Sequence, residues 1–443
     1  MSFARDSLRT FSIRSSLIFI SILGGIIYAR WLGPEGIGIL ALAALMENFV
    51  LRFGNFGFGS GFSFFIAQGR TTGREVLTLA FGLCGSVCVM GCIILLLIWQ
   101  KDFSPWQKMP STIFYLSLVT IFPFFMNYLL SMILSGHLDI KAVNYSEIIR
   151  TVCLLSGLVL LVIFLKWGIT GAICSNIMAQ FAVFCYLLMR LRRRREMPVI
   201  EKFESGKMGL MLEIWQYGRW NYLIMFFGFY IGELPLMVLS YFFPYNIVGF
   251  FSMGRGLMEK TRILPNAFAQ ALFPYTAAST EIVAVNRTNI LCRNFLVITC
   301  GMVIVLAIIL KPVVIVLYGE AFLPVIPVFY ALIPAIILWP LSQFLTVHVA
   351  GFGNPKKVLL RSLCALPGCI LACFIFIPYF GAVGAALSVS IVYAILAIVS
   401  VYIYIKSTDA KLLDMIFLRK EDWNIYRGIA QKIGIKYFKQ QGT

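Results

Sequence analysis

Charged residues are scarce in this 443-residue chain, since only 13% of its residues are Asp, Glu, Lys or Arg. Soluble globular domains carry about 25% charged and about 45–50% apolar residues. Here 60% of the residues are hydrophobic and the mean hydropathy is +0.89. A chain of this composition would expose far more apolar surface than water tolerates. The composition therefore excludes a water-soluble protein and predicts an integral membrane protein.

Histidine is almost absent, and cysteine occurs without a metal-binding spacing. The chain has 2 His and 11 Cys, with no Cys-x-x-Cys pair. Cys84, Cys88 and Cys92 share one helical face, but no His or carboxylate lies in the same apolar run. Close helix packing explains these small residues better than a metal site does. We therefore expect no metal, no cofactor and no catalytic residues.

Long apolar runs separated by Gly, Pro and charged residues predict membrane-spanning helices. A bilayer core of about 30 Å takes about 20 apolar residues per helix, so the chain has room for about a dozen spans. We predict an all-α integral membrane protein with twelve transmembrane helices. Their approximate bounds are 12–32, 37–66, 76–99, 112–135, 146–166, 169–190, 216–242, 246–275, 290–317, 323–350, 358–379 and 382–405.

Basic residues predict the orientation of these spans. The chain has 37 Lys and Arg against 19 Asp and Glu, a net charge of +18. If both termini are cytoplasmic, most basic residues fall on the cytoplasmic side, including the run 192–195 and the tail from Lys406. This topology explains the basic charge, so we expect no nucleic-acid partner. No small-x-small cleavage site follows the first apolar run, so we expect the first span to be retained.

Three groups of helix-breaking residues recur in the same order about 210 positions apart. They are 33–38 and 243–249, 135–137 and 350–356, and 168–172 and 381–385. Each half would then hold six helices, and because six is even, the halves would insert with the same orientation. This predicts two six-helix lobes related by a pseudo-two-fold axis along the membrane normal, enclosing a central cavity between them as in a transporter.

The repeat also predicts the domain organisation. The N-terminal six-helix lobe comprises 1–190, a basic cytoplasmic linker 191–215, the C-terminal six-helix lobe 216–406, and a cytoplasmic basic amphipathic tail 407–443. The longest predicted outer connection, 100–111, has one Asp and no His. A membrane glycosyltransferase, polymerase or ligase would need catalytic groups in such a loop, so we expect no enzyme activity.

Ionisable residues inside the predicted spans point to an anionic substrate. Such a group costs at least about 2.5–3.5 kcal/mol at the bilayer centre and usually faces a wet interior. The basic candidates are Arg14, Arg52, Arg219, Arg255, Lys260 and Arg262, and the acidic ones are Glu47, Glu233 and Glu259. Six basic groups against three acidic ones predict a cationic cavity.

Structural alternatives remain for several of these side chains. Arg14, Arg219 and Arg262 are near enough to the interface to extend their charge into water. Arg255 and Glu259, spaced i and i+4, would form an intrahelical ion pair that neutralises itself. Arg52 has no acidic neighbour one turn away.

The string from Arg30 to Gly38 after the first span resembles the opening signature of bacterial polysaccharide (O-antigen) flippases, members of the multidrug/oligosaccharidyl-lipid/polysaccharide exporter superfamily. Further similar segments are 264–265, 272–274, 317–322, 351–356 and 377–386. The resemblance implies a twelve-helix flippase that moves undecaprenyl-pyrophosphate-linked oligosaccharide from the cytoplasmic to the periplasmic leaflet of the bacterial inner membrane, in O-antigen or lipopolysaccharide biosynthesis. Relatives often carry Arg-x-Asp midway along span seven, where this chain has Gly232 and Glu233.

Each part of such a substrate requires a different surface in an alternating-access cavity. The basic candidates named above would bind the diphosphate, because Arg suits forked hydrogen bonding. Amide and aromatic groups would contact the glycan: Asn48, Asn55, Asn221, Tyr222, Tyr230 and Gln270. Glu47, Glu233 and Glu259 are the candidates for coupling to an ion gradient.

The expected partners are the lipid-linked oligosaccharide, membrane lipids, a polysaccharide polymerase and a chain-length regulator. A peptidoglycan-precursor flippase is an alternative, although such proteins often carry two more C-terminal helices and the tail after Lys406 has no 18-residue apolar run. A multidrug exporter of the same superfamily is a second alternative, although it typically prefers cationic drugs and an acidic cavity.

Overall fold

The computed structural model describes residues 2–101, 104–193, 206–408, 410–420 and 422. Side chains are described from residue 21 onward, except at 74, 206–208, 277 and 355. Within these ranges the regular structure is helical. The helices are α1 Ser2–Gly54, α2 Phe58–Ala67, α3 Gly73–Trp99, α4 Ser111–Gly136, α5 Ile140–Gly157, α6 Gly168–Arg192, α7 Gly206–Phe242, α8 Tyr245–Thr261, α9 Ile263–Ala278, α10 Glu281–Leu317, α11 Val325–Gly351, α12 Pro355–Thr408 and α13 Leu412–Ile416. A π-helical segment, Leu158–Phe164, continues α5, and a 3₁₀ turn, Glu320–Phe322, precedes α11.

The helices have the length and composition of membrane spans. In the described part of the chain, 9 helices are long and apolar enough to cross a membrane. Many of their large apolar side chains, such as Ile308 and Leu371, are exposed on the outside of the molecule, where lipid would cover them. These observations confirm the prediction of an all-α integral membrane protein.

Two of the long helices are sharply bent at a glycine. Gly33 interrupts α1 with φ 66° and ψ −175°, and Gly381 interrupts α12 with φ 55° and ψ −126°. Positive φ is the region that glycine tolerates and other residues avoid. The sequence predicts boundaries between consecutive spans at these two positions. Helices α1 and α12 therefore each consist of two helical segments joined at a glycine.

Two predicted spans are instead broken in the middle. Predicted span 37–66 is divided between α1 and α2, because Phe56 and Gly57 take positive φ of 43° and 86°. The Asn55 side chain accepts a hydrogen bond from Gly59 N at 3.1 Å and so caps the new helix. Predicted span 246–275 divides into α8 and α9 at Arg262, three residues before Pro265, whose ring removes one helical donor.

The two halves of the chain cross each other at glycines. Gly38 on α1 and Gly249 on α8 face one another, and a β-carbon on either would overlap the carbonyl group of Tyr245 or of Pro34. Gly57 and Gly218 make a second contact of the same kind, between the start of α2 and α7. Both contacts bring backbones closer than any side chain allows, so the halves meet along α1, α2, α7 and α8.

The beginning of the predicted tail packs on the second half. Met415 of α13 is fully buried together with Cys292 and Phe295 of α10. Asp422 is also buried, and its carboxylate oxygen Oδ2 lies 2.6 Å from Arg293 Nε in an ion pair. Ile416 and Phe417 remain exposed, and residues 423–443 lie outside the described part of the chain. The described tail residues are therefore a docked element of the C-terminal half.

Candidate substrate site

Arg255 and Glu233 form a forked ion pair between α8 and α7. Arg255 Nη1 donates to Glu233 Oε2 at 2.8 Å, and Nη2 donates to Oε1 at 2.7 Å. The two side chains are 24% and 19% exposed, so the pair is not fully buried in the protein. The suggested intrahelical pair of Arg255 with Glu259 is wrong, because Glu233 takes both guanidinium nitrogens.

Local sequence on α7 favours this pairing. Pro235 has no backbone N–H, so the carbonyl of Ile231 loses its usual helical donor. The thiol of Cys369 on α12 lies 3.8 Å from that carbonyl and donates to it weakly. A β-carbon at Gly232 would make only an ordinary van der Waals contact with Arg255 Nη2, at 3.9 Å, so residue 232 lies beside the guanidinium without restricting it. Glu233 thus lies at a point of α7 where a backbone hydrogen bond is missing.

Arg262 is held inside the protein by aromatic rings. Its guanidinium carbon lies 4.9 Å from the ring centre of Trp339 and 4.7 Å from that of Tyr393. Its Nη1 donates to Glu259 Oε1 at 2.8 Å. The residue is 8% exposed, so it does not extend into water, and its charge is stabilised by the rings and by Glu259.

Arg52 on α1 differs from both of these arginines. It is half-buried beside Phe49 and Phe53, whose ring centres are 4.3 Å apart. It makes no hydrogen bond or ion pair with any residue that the structure describes. Tyr128 of α4 is the phenol within its electrostatic reach. A cation that is partly desolvated and has no acidic partner is available to an anionic ligand.

Glu47 is the acidic candidate without an arginine partner in hydrogen-bond contact. It is 6% exposed, and Asn176 Nδ2 donates to its Oε1 at 2.9 Å. Thr120, Tyr28 and Arg150 lie within electrostatic reach of the carboxylate. Glu47 therefore accepts a hydrogen bond from a neutral amide in the N-terminal half, whereas Glu233 and Glu259 are paired with arginines in the C-terminal half.

The candidate glycan contacts on α7 lie at the junction of the halves. Tyr222 donates its hydroxyl hydrogen to the Phe53 carbonyl oxygen at 3.3 Å. Tyr230 packs its ring 5.9 Å from the ring of Phe53. Asn221 is exposed, and its Nδ2 lies 3.7 Å from the sulfur of Met225. The aromatic candidates thus come together with the segment that carries Arg52.

The remaining candidates are more scattered. Asn48 donates to the Ala44 carbonyl of its own helix at 2.9 Å, and the Asn55 amide donates to the Tyr128 hydroxyl at 3.2 Å. Gln270 is exposed on α9 and Lys260 is half-buried at the end of α8. Arg219 is exposed, with its guanidinium carbon 5.6 Å from the Trp220 ring centre. The side chain of Arg14 lies outside the described residues.

Sequence reasoning did not single out Arg361 on α12. Its Nη1 donates to Ser342 Oγ at 2.9 Å and to the hydroxyl of Thr346. No carboxylate among the described residues pairs with it. Arg361 lies three positions inside the predicted span 358–379, close to its end, where a basic residue is typical of the membrane interface. The signal that would have found it is the pair of hydroxyl residues, Ser342 and Thr346, one turn apart on α11.

Solved structures with the same fold are transporters. The chain is similar to an inward-facing multidrug resistance MATE family transporter of the MOP superfamily, with TM-score 0.71 and 16% identity over 89% of this chain and 94% of that chain. It is similar to the lipid II flippase MurJ in an inward closed conformation, with TM-score 0.65 and 13% identity over 91% and 88%. A MOP superfamily transporter from Pyrococcus furiosus Vc1 (DSM3638), described by the reverse polarity of its binding pocket, gives TM-score 0.64 and 16% identity over 91% and 94%.

These similarities define the class: the chain has the fold of the MOP superfamily transporters. No curated protein matches the sequence. The sequence pattern of the polysaccharide biosynthesis protein family matches residues 27–327, which is most of the chain. The chain belongs to the polysaccharide biosynthesis protein family, as the resemblance of residues 30–38 and the other segments predicts.

Proposed function

We propose that this protein is a flippase for undecaprenyl-pyrophosphate-linked oligosaccharide, the repeat unit of O-antigen or a similar surface polysaccharide. It carries the sugar head group from the cytoplasmic to the periplasmic leaflet of the bacterial inner membrane. Arg52 is the observation that carries this proposal, because it is a half-buried cation without an acidic partner among the described residues. A diphosphate supplies the missing negative charge.

Contacts between the halves support a shared site for Arg52 and Arg255. Phe53, the neighbour of Arg52, packs its ring 5.1 Å from Phe226 and 5.9 Å from Tyr230. Tyr230 lies one turn before Glu233, the partner of Arg255. Arg52 and Arg255 therefore lie along the same junction of α1, α7 and α8, and aromatic rings beside them offer stacking surfaces for sugar rings.

The proposed mechanism is alternating access by two six-helix lobes with cytoplasmic termini. Division of α1 at Gly33 and of α12 at Gly381 agrees with twelve spans when the second segment of α1 is counted together with α2, and α8 together with α9. The lobes rock about the membrane midplane while the lipid tail stays in the bilayer. Glu47 is then a candidate for coupling in one lobe and Glu233 and Glu259 in the other.

A complementation experiment tests this function. In a strain that lacks the gene, we expect Arg52→Ala and Arg255→Ala to reduce surface polysaccharide at least about tenfold, equivalent to about 1.4 kcal/mol of lost binding, and to cause cytoplasmic build-up of the lipid-linked unit. Glu259→Ala tests the Arg262 partner in the same assay. Arg287→Ala is the matched control, because Arg287 is exposed on α10 and its guanidinium lies against the Tyr275 ring. If the three cavity variants all complement like wild type, the site assignment is wrong.

A further inference from the structure

The two terminal guanidinium nitrogens of Arg255, called here the Arg255 fork, are bound by Glu233 within the protein. Glu233 places both carboxylate oxygens against both terminal guanidinium nitrogens, at 2.8 and 2.7 Å. This is the geometry in which arginine binds a carboxylate or a phosphate group. Both side chains are partly exposed, at 24% and 19%. A diphosphate at Arg255 must therefore first displace Glu233.

The displaced carboxylate lies beside a missing backbone hydrogen bond of α7. Pro235 removes the backbone donor for the Ile231 carbonyl, and only the thiol of Cys369, at 3.8 Å, partly replaces it. The ion pair is one of few polar contacts between α7 and α8 among the described residues. The two helices are joined by the turn at Phe243 and Pro244. When the pair opens, α7 loses a constraint at the residue next to its proline.

We infer that Glu233 is an internal anion that occupies the Arg255 fork until a diphosphate head group displaces it, and that this exchange frees α7 to bend at Pro235. The inference rests on the proposed function, because it names a residue that selects among ligands of the proposed site. Arg52 is the open cation that meets the head group first, and Arg255 is the cation that becomes available only by exchange.

Such an exchange favours ligands with high negative charge. A ligand binds with an apparent affinity reduced by the fraction of molecules whose fork is free, so every ligand must overcome the same competition. A diphosphate carries enough negative charge to compete with a carboxylate for a guanidinium, whereas a neutral glycolipid or a cationic drug cannot displace the carboxylate. On the opposite side of the membrane, the return of Glu233 to Arg255 helps to expel the head group.

Binding of inorganic pyrophosphate to the purified full-length protein in lipid nanodiscs tests the inference. We expect Glu233→Gln to tighten the dissociation constant about tenfold, which corresponds to about 1.4 kcal/mol, because the competing charge is removed. Glu320→Gln is the matched control: it removes one negative charge from an exposed residue of the 3₁₀ turn before α11 and leaves the Arg255 fork filled. We expect its effect to be about threefold or less, or about 0.65 kcal/mol.

A second variant covers the case in which Glu233→Gln fails to fold. Glu233→Asp keeps the charge but shortens the side chain, so that it cannot hold both guanidinium nitrogens, and we expect an intermediate tightening. Turnover provides a readout that a merely structural role would not give. In a flipping assay, Glu233→Gln should bind more tightly and yet turn over more slowly, because release is no longer assisted.

The possible outcomes separate this inference from the proposed function. If Glu233→Gln tightens binding clearly more than Glu320→Gln does, the internal anion is supported. Equal tightening in both variants reflects net charge alone and overturns it, as does unchanged or weaker binding in Glu233→Gln. If wild type binds pyrophosphate no better than Arg52→Ala and Arg255→Ala do, the proposed diphosphate site fails, and the inference fails with it.

Discussion

Each arginine in the transmembrane region obtains its stabilisation differently. Arg255 has a carboxylate fork, Arg262 has two aromatic rings and Glu259, and Arg361 has only hydroxyl and carbonyl acceptors. Arg52 has none of these among the described residues. A charge inside a membrane protein is costly unless it is paired or faces water. Arg52 has the fewest stabilising partners of these arginines, so it is the one that we expect to bind an anionic ligand.

Asp422, in contrast to Arg52, is a charged residue with several hydrogen-bond partners. Its carboxylate accepts from Arg293 Nη2 at 2.9 Å, from Asn294 Nδ2 at 3.1 Å and from Arg419 N at 2.8 Å. Burial alone would raise the pKa of this carboxyl, but the hydrogen bonds from Arg293, Arg419 and Asn294 outweigh burial and hold the pKa below its ordinary value. The aspartate therefore fixes the start of the tail to α10.

We predict that Asp422→Asn destabilises the C-terminal half by about 3–5 kcal/mol, because it leaves Arg293 buried without its counter-charge. The melting temperature of the purified protein in detergent measures this loss. Asp422 has a lowered pKa, so its contribution is present above the pKa of the unfolded carboxyl and is lost as pH falls through the lower folded pKa. Asp414→Asn, at an exposed pair with Arg419, is the control. Equal melting temperatures for the two variants would contradict the assignment.

Individual helices were predicted with uneven success. Gly33 with Pro34, and Gly381, mark span boundaries because glycine and proline break helices locally, and local signals are visible in sequence. The break at Phe56–Gly57 was missed because it lies inside an apolar run and Gly57 packs against Gly218 of the other half. The break at Arg262 was missed because the apolar run continues past Pro265. The ion pair of Glu233 with Arg255 was missed for a related reason: its members lie 22 residues apart, across a turn.

The crossing of α1 and α8 leads to a prediction at the scale of helices. Gly249→Ala should force α1 and α8 apart, because its β-carbon would overlap the Pro34 carbonyl. Overpacking of this kind costs about 1–3 kcal/mol. We expect a lower melting temperature and reduced complementation. Gly24→Ala on α1 is the control, because no atom lies within 4 Å of its β-carbon. If Gly249→Ala has the same melting temperature as Gly24→Ala, then α1 and α8 are not in tight backbone contact at this crossing.

At the scale of the whole molecule, the two halves divide the charged residues unequally. The N-terminal half contributes Arg52 without an acidic partner among the described residues, and Glu47, which accepts a hydrogen bond from Asn176. The C-terminal half contributes arginines already paired with Glu233 and Glu259. Sequence reasoning identified the class, the family and the charged residues. Their division into open and paired groups required three-dimensional contacts, because helices distant in sequence supply the partners.

Transport of a lipid-linked sugar by the purified protein is the most direct test of the proposed function. Proteoliposomes would carry undecaprenyl-pyrophosphate-linked oligosaccharide, and a membrane-impermeant enzyme or lectin would report its appearance in the opposite leaflet. We predict transfer by wild type, transfer at least about tenfold slower by Arg52→Ala, which is a barrier change of about 1.4 kcal/mol, and no transport of cationic dyes. Transfer by Arg52→Ala at the wild-type rate, or transport of dyes without transfer of the lipid-linked sugar, would contradict the account.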